Sequence, residues 1–220
     1  RKLVGKNLPS FDVMIAGFPC QSFSVIGRQT GTNDRRGQLI YDLVELIREN
    51  RPKAVILENV KGLISHDKGE TFKDILLQIK SVGYDVDYKI LNSLDYGVPH
   101  MRQRVYIIAV NHDLDIDFTK FMWPEPQKHV RLSRFLQPND NRMSDEDYEW
   151  FTERYLVNDE NKGKYNLEDL LRQQYLIVDT RMSDLRLYKN RVPTLRAHRD
   201  GVYYVYNREL YYLTGAEALR

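Results

Sequence analysis

Residues 12–17, DVMIAG, form a short apolar run with little alternation, the pattern of a strand buried in a parallel sheet. A loop rich in Pro, Gly and Ser follows over 18–37. From 38 to 50, QLIYDLVELIREN, apolar positions recur at helical spacing and put Leu39, Ile40, Leu43, Leu46 and Ile47 on one face, with Pro52 close behind. KAVILENV (53–60) reads as a second buried strand ending in Glu58 and Asn59. ETFKDILLQIKSVG (70–83) reads as a second amphipathic helix, stopped by Gly83 at C′. YDVDYKILNS and RVYIIAV are two further strands joined by LDYGVPHMRQ. The order strand–helix–strand–helix–strand–strand predicts an open α/β sheet with functional loops at the carboxyl ends of its strands.

Beyond about residue 112 the pattern changes. An acidic, polar stretch with short helical pieces gives way to a basic and then tyrosine-rich one, and no internal repeat stands out. The chain therefore divides into a core over 1–112, a smaller irregular domain over 113–207 and a return segment over 208–220. In that last segment LTGAEALR fits a capping box, with Thr214 as N-cap and Glu217 at N3. The sequence opens without Met and stops as this helix begins, so both ends read as cut.

Composition narrows the picture only a little. Hydrophobic residues at 42% and charged residues at 29% are ordinary for a globular protein of 220 residues. A net charge of +2 permits nucleic-acid binding without demanding it. The single cysteine rules out an internal disulfide and a cysteine metal cluster, which favours a reducing, intracellular setting. No apolar run is long enough to cross a bilayer, and none reads as a signal peptide.

That cysteine, Cys20, falls just past the first strand in IAGFPCQSFSVIGRQ. Free cysteine is often a buried structural residue, but reactive groups of α/β proteins gather at such strand ends. A thiol needs positive charge or loop amides nearby to ionise at neutral pH, and Arg28, Arg35 and Arg36 share its loop. Glu58 closes the next strand, where partial desolvation suits a proton-carrying role; a capping or ion-paired glutamate is the plainer alternative. Arg102 and Arg104 precede the last strand and, two residues apart on extended chain, can face one site; a pair of surface arginines is the plainer alternative there. Together the four residues supply a nucleophile, an acid and two anion or carbonyl clamps.

GFPCQSFSVIGRQTGTNDRRGQL, LENVKGL and LNSLDYGVPHMRQRVYII resemble, in order and spacing, the central motifs of the DNA cytosine-5 methyltransferases of bacterial type. The resemblance covers about 11–111, resumes at VPTLRAHRDG, which looks like the Thr-Leu segment of that family's target-recognition domain, and ends in RELYYLTGAEALR. It implies a Rossmann-like methyltransferase sheet, partly present, with a smaller target-recognition domain. It implies methyl transfer from S-adenosylmethionine (SAM), leaving S-adenosylhomocysteine, to C5 of a cytosine flipped out of double-stranded DNA. No metal and no membrane enter, the setting is the bacterial cytoplasm at the nucleoid, and a cognate restriction endonuclease is the implied partner.

By the same resemblance Cys20 adds to C6, Glu58 contacts N3 and the exocyclic amine, Arg104 holds O2 and Arg102 braces the loop or a phosphate. Gln21, Ser24 and Arg36 lie near the DNA backbone, and Pro19 and Leu39 line the cofactor pocket. Residues 179–200 carry six Arg or Lys against three Asp; there Thr194, Leu195 and Arg196 are the expected DNA contacts, arginine reading guanine and the hydroxyl holding phosphate.

Three departures bear on this. His100 stands where the family has Gln in Gln-x-Arg-x-Arg, and neither the glycine-rich cofactor loop nor the closing motif is in the sequence. The chain alone is therefore expected to lack most of a SAM site and to be inactive by itself. Two alternatives stay open: a transfer-RNA cytosine methyltransferase, whose usual Cys-Phe-Thr element this chain lacks, and a catalytically silent DNA-binding half of a split enzyme.

Overall fold

The computed structural model describes residue 5 and residues 8–19, 39–161, 163–182, 184–195 and 201–218. The chain forms two compact units, Arg1–Asn92 with Gln103–Glu125, and Ser93–Arg102 with Pro126–Arg220.

The first unit has the element order the apolar spacing predicts. It comprises β1 (Val13–Gly17), α1 (Leu39–Asn50), β2 (Ala54–Val60), the single turn α2 (Gly62–Ser65), α3 (Glu70–Ser81), β3 (Tyr84–Asn92) and β4 (Gln103–Asn111). The sheet order is β1-β2-β4-β3. β1 is parallel to β2, while β4 runs antiparallel to both β2 and β3. Thus β1, β2 and β3 share a direction, and their carboxyl ends lie along one edge. α3 stops where expected: Gly83, at φ +91°, donates its N–H to Lys80 O at 3.0 Å, a left-handed conformation that costs glycine little.

The two-residue period of the strands sorts the core. Val55 and Leu57 of β2 and Val105, Ile107 and Ala109 of β4 are buried with Ile40 and Ile47 of α1 and Phe72, Ile75 and Ile79 of α3. The opposite face departs from the expectation of a fully buried first strand. Val13 is 51% and Ile15 75% exposed, because the helices cover only the face that Met14 and Ala16 share.

The second unit carries α4 (Asp145–Thr152), a π-helical turn over Glu153–Val157, α5 (Leu167–Leu171), β5 (Leu176–Thr180), β6 (Leu185–Lys189), β7 (Val202–Tyr206), β8 (Glu209–Tyr212) and the turn α6 (Gly215–Ala218). Its sheet is antiparallel, in the order β6-β5-β7-β8. Asn207 and Arg208, both at positive φ, make the two-residue hairpin between β7 and β8, the backbone handedness that matches strand twist. β5 is enclosed on both faces: Leu176 and Val178 meet Phe151, Leu156 and Leu170, while Ile177 meets Leu132, Leu136 and Tyr204.

Candidate active site

The carboxyl edge of the first sheet positions the residues the sequence singles out there. The ladder pairs Gly17, the last residue of β1, with Glu58, and Val60 with Arg104. Glu58 and Arg104 therefore sit diagonally on the open face of neighbouring strands. Arg104 Nε lies 2.9 Å from Glu58 Oε1, the arginine side chain 15% and the glutamate 35% exposed. A second arginine nitrogen donates to Gln103 O at 2.8 Å, which fixes the direction of the guanidinium. A Cβ on Gly17 would touch Glu58 Oε2 at 3.4 Å, so glycine leaves that oxygen more open to approach. The ion pair is the plainer alternative for Glu58. It also places a carboxylate with one uncovered side beside the exit of β1.

Pro19 follows β1 and is half-buried, and Leu39 opens α1 and is half-buried. Cys20, Gln21, Ser24, Arg36 and Arg196 lie outside the described residues. Asn59 had no forecast role. It is 2% exposed, and its Nδ2 donates to Phe18 O at 3.2 Å while its Oδ1 accepts Val60 N–H at 2.8 Å. It thereby ties down the chain two residues before Cys20. A buried amide ending an apolar strand was the available signal.

Arg102 belongs to the second unit, in the segment Ser93–Arg102. There its N–H donates to His100 O at 3.0 Å and its carbonyl accepts Ser93 N–H at 3.1 Å. Thr194 and Leu195 meet this same segment: Thr194 Oγ1 donates to Met101 O at 2.7 Å, and Leu195 N–H donates to His100 Nε2 at 3.2 Å. The structure thus pairs Glu58 with Arg104 in one unit, and Thr194 and Leu195 with the His100–Met101 segment in the other.

The forecast capping box of α6 is present and extended. Thr214 N–H donates to Glu217 Oε2 at 2.9 Å and Glu217 N–H to Thr214 Oγ1 at 3.2 Å. Glu217, 6% exposed, also accepts from Gln137 N–H at 2.7 Å and Tyr204 O–H at 2.9 Å. Burial pushes the Tyr204 phenol up, with Asn141 opposing and Glu217 adding to the shift, so it stays a donor. Among the described residues no three His, Cys, Asp or Glu side chains group as metal ligands, and no helix is long and apolar enough to cross a membrane.

A family description, C-5 cytosine-specific DNA methylase, matches residues 1–215. The chain belongs to this family. Among its methylase relatives, the Type II methyltransferase M.NgoBI of Neisseria gonorrhoeae is 41% identical over 134 residues, which is 61% of this chain and 41% of that protein. The Type II methyltransferase M.HhaI of Haemophilus parahaemolyticus is 43% identical over 121 residues, 55% of this chain and 36% of that protein. The chain thus spans about two fifths of the length of these methylases. A solved Entamoeba histolytica methyltransferase shares the fold at TM-score 0.54 and 18% identity, over 94% of this chain and 63% of that one.

Proposed function

We propose that this methylase chain supplies the nucleophile, the carboxylate–arginine pair and the recognition segment of an enzyme that methylates C5 of cytosine in double-stranded DNA. The observation that carries the reading is the Glu58–Arg104 pair at the carboxyl edge of the sheet, beside the strand that leads into Cys20, in a member of this family. The domains are read as a catalytic core over 1–112, a target-recognition domain over 113–207 and a return segment over 208–220.

The cytosine is flipped from the stack, at a cost of a few kcal/mol, so that C5 and C6 can be reached. The Cys20 thiolate adds to C6, and the electron pair displaced from the C5–C6 double bond makes C5 nucleophilic. Glu58 holds N3 and the exocyclic amine, steadying charge as C6 is attacked. Arg104 holds O2 while remaining in reach of Glu58, and Arg102 braces its loop or a phosphate. Bound SAM supplies the electrophilic methyl group. A base then takes the C5 proton, the double bond re-forms and Cys20 leaves. Half-buried Pro19 and Leu39, apolar groups at this edge, fit one wall of a SAM pocket. Gln21, Ser24, Arg36, Thr194, Leu195 and Arg196 are the proposed DNA contacts, and a cognate endonuclease is the proposed partner.

The test is covalent trapping on 5-fluorocytosine duplex DNA by the whole enzyme that contains this chain, with SAM present. Trapping is expected for the native enzyme and lost in Cys20→Ser; trapping that persists in Cys20→Ser removes Cys20 as nucleophile. Transfer of labelled methyl groups to transfer RNA but not to DNA would overturn the substrate.

A further inference from the structure

The second unit holds its Thr194–Leu195 segment in an uneven way. Backbone bonds come first: Val192 N–H donates to Pro99 O at 2.7 Å and Met101 N–H to Val192 O at 2.8 Å, a parallel bridge centred on His100 and Val192. Side chains then take over, with Thr194 Oγ1 on Met101 O and the His100 imidazole on Leu195 N–H. His100 is itself fixed along the backbone, its carbonyl accepting Ser93 Oγ–H at 2.5 Å. The residue that anchors Leu195 is therefore the one that departs from Gln-x-Arg-x-Arg.

We propose that His100 is a positioning residue for the Thr194–Leu195 segment, acting as a hydrogen-bond acceptor in its neutral form. This rests on the reading of that segment as a DNA contact. An imidazole accepts at Nε2 only when that nitrogen carries no proton, so the neutral ring bears its proton on Nδ1. Protonation turns Nε2 into a donor facing another donor, the Leu195 N–H, and the bond is lost. A glutamine could accept the same N–H through its amide oxygen and would not titrate. Histidine at this place keeps the contact and makes it releasable by acid.

Among the described residues the wall around the ring is mainly apolar. His100 lines a pocket with Val98, Leu132, Phe135, Leu136 and Leu213, and Glu217 is the one other titratable side chain on that wall among the described residues. Glu217 is already engaged by Gln137, Thr214 and Tyr204. Of the other charged groups on packed elements, Asp95 meets His129 at 3.0 Å, while Arg102, Arg134 and Arg191 do not line the pocket.

The experiment uses the whole enzyme and long unmethylated duplex DNA as substrate, comparing native, His100→Gln and His100→Phe. As pH falls from about 8 to about 5.5, the native KM for DNA is expected to rise about fivefold more than that of His100→Gln, with kcat little separated. His100→Phe is expected to raise KM about fivefold at every pH, at an unchanged melting temperature. Matching pH profiles for native and His100→Gln, or a native KM in folded His100→Phe, overturn the proposal. If His100→Phe does not fold, the native–glutamine comparison still decides. Nitrogen NMR of the imidazole and hydrogen exchange at Leu195 separate this from the activity reading. If no DNA is methylated at all, that reading fails, yet an Nδ1–H ring with a protected Leu195 amide still upholds His100 as the anchor. An Nε2–H ring discards it.

Discussion

In the first unit, α1 and α3 cover one face of the sheet and leave Val13 and Ile15 in solvent; in the second, β5 is packed on both faces. The carboxylates follow the same division. Glu58 stands on the open face, one third exposed and held by Arg104, whereas Glu217 is sealed among backbone, hydroxyl and phenol donors. A buried charge persists only where donors compensate its lost hydration, so Glu217 serves the fold. A carboxylate that keeps contact with solvent can exchange its arginine for a substrate at little structural cost.

That contrast can be broken, starting with the largest effect. Glu58→Gln in the whole enzyme is expected to lower methyl transfer by about a hundredfold or more, within the range of a lost acid–base or charge-stabilising group, while the melting temperature barely moves. A melting temperature that falls as Glu217 variants do would make Glu58 a structural residue. Glu217→Ala is expected to destabilise the chain by about 3 kcal/mol, because the part-buried Gln137 and Thr214 N–H groups and the buried Tyr204 hydroxyl lose their common acceptor. Chemical denaturation measures it, and a loss under about 1 kcal/mol would show that solvent replaces the carboxylate.

The smallest effect concerns an exposed pair. Lys164, the Tyr165 hydroxyl and the Leu185 N–H hold Asp184 down to about 2. A carboxyl lowered in the folded state adds stability above its unfolded value of about 3.9, and that stability fades as pH falls from about 4 to about 2. Asp184→Asn is therefore expected to flatten the acid limb of thermal stability in that window, lowering the melting temperature slightly at pH 7 and leaving it nearly unchanged near pH 2. An unaltered acid limb would mean that the pair, 48% and 44% exposed, is screened to nothing.

Much of the first unit was legible because its signals are local. Apolar spacing set the order of four strands and two long helices, Gly83 marked a helix end, and Thr214 with Glu217 marked a beginning. The bare face of β1 was not legible, since the same apolar run suits one covered face or two. The Glu58–Arg104 contact depends on β4 running antiparallel between β2 and β3, a register that no short window encodes. The grouping of 93–102 with the second unit was equally hidden, as it rests on partners such as Leu195, 95 positions along the chain from His100. At the candidate site, residue types and spacing named Glu58 and Arg104, but Asn59 and His100 gained roles only through burial and hydrogen bonding.

The exposed side of β1 has a practical consequence for anyone handling this chain. Among the described residues β1 pairs with β2 alone, and Ile15 stands 75% exposed beside it. An apolar strand with one side of its ladder unused is a template for another chain, and crowding favours such templating. Purification at high concentration would select for self-association and turbidity, while dilution, or a surfactant that occupies the strand, would keep the preparation clear.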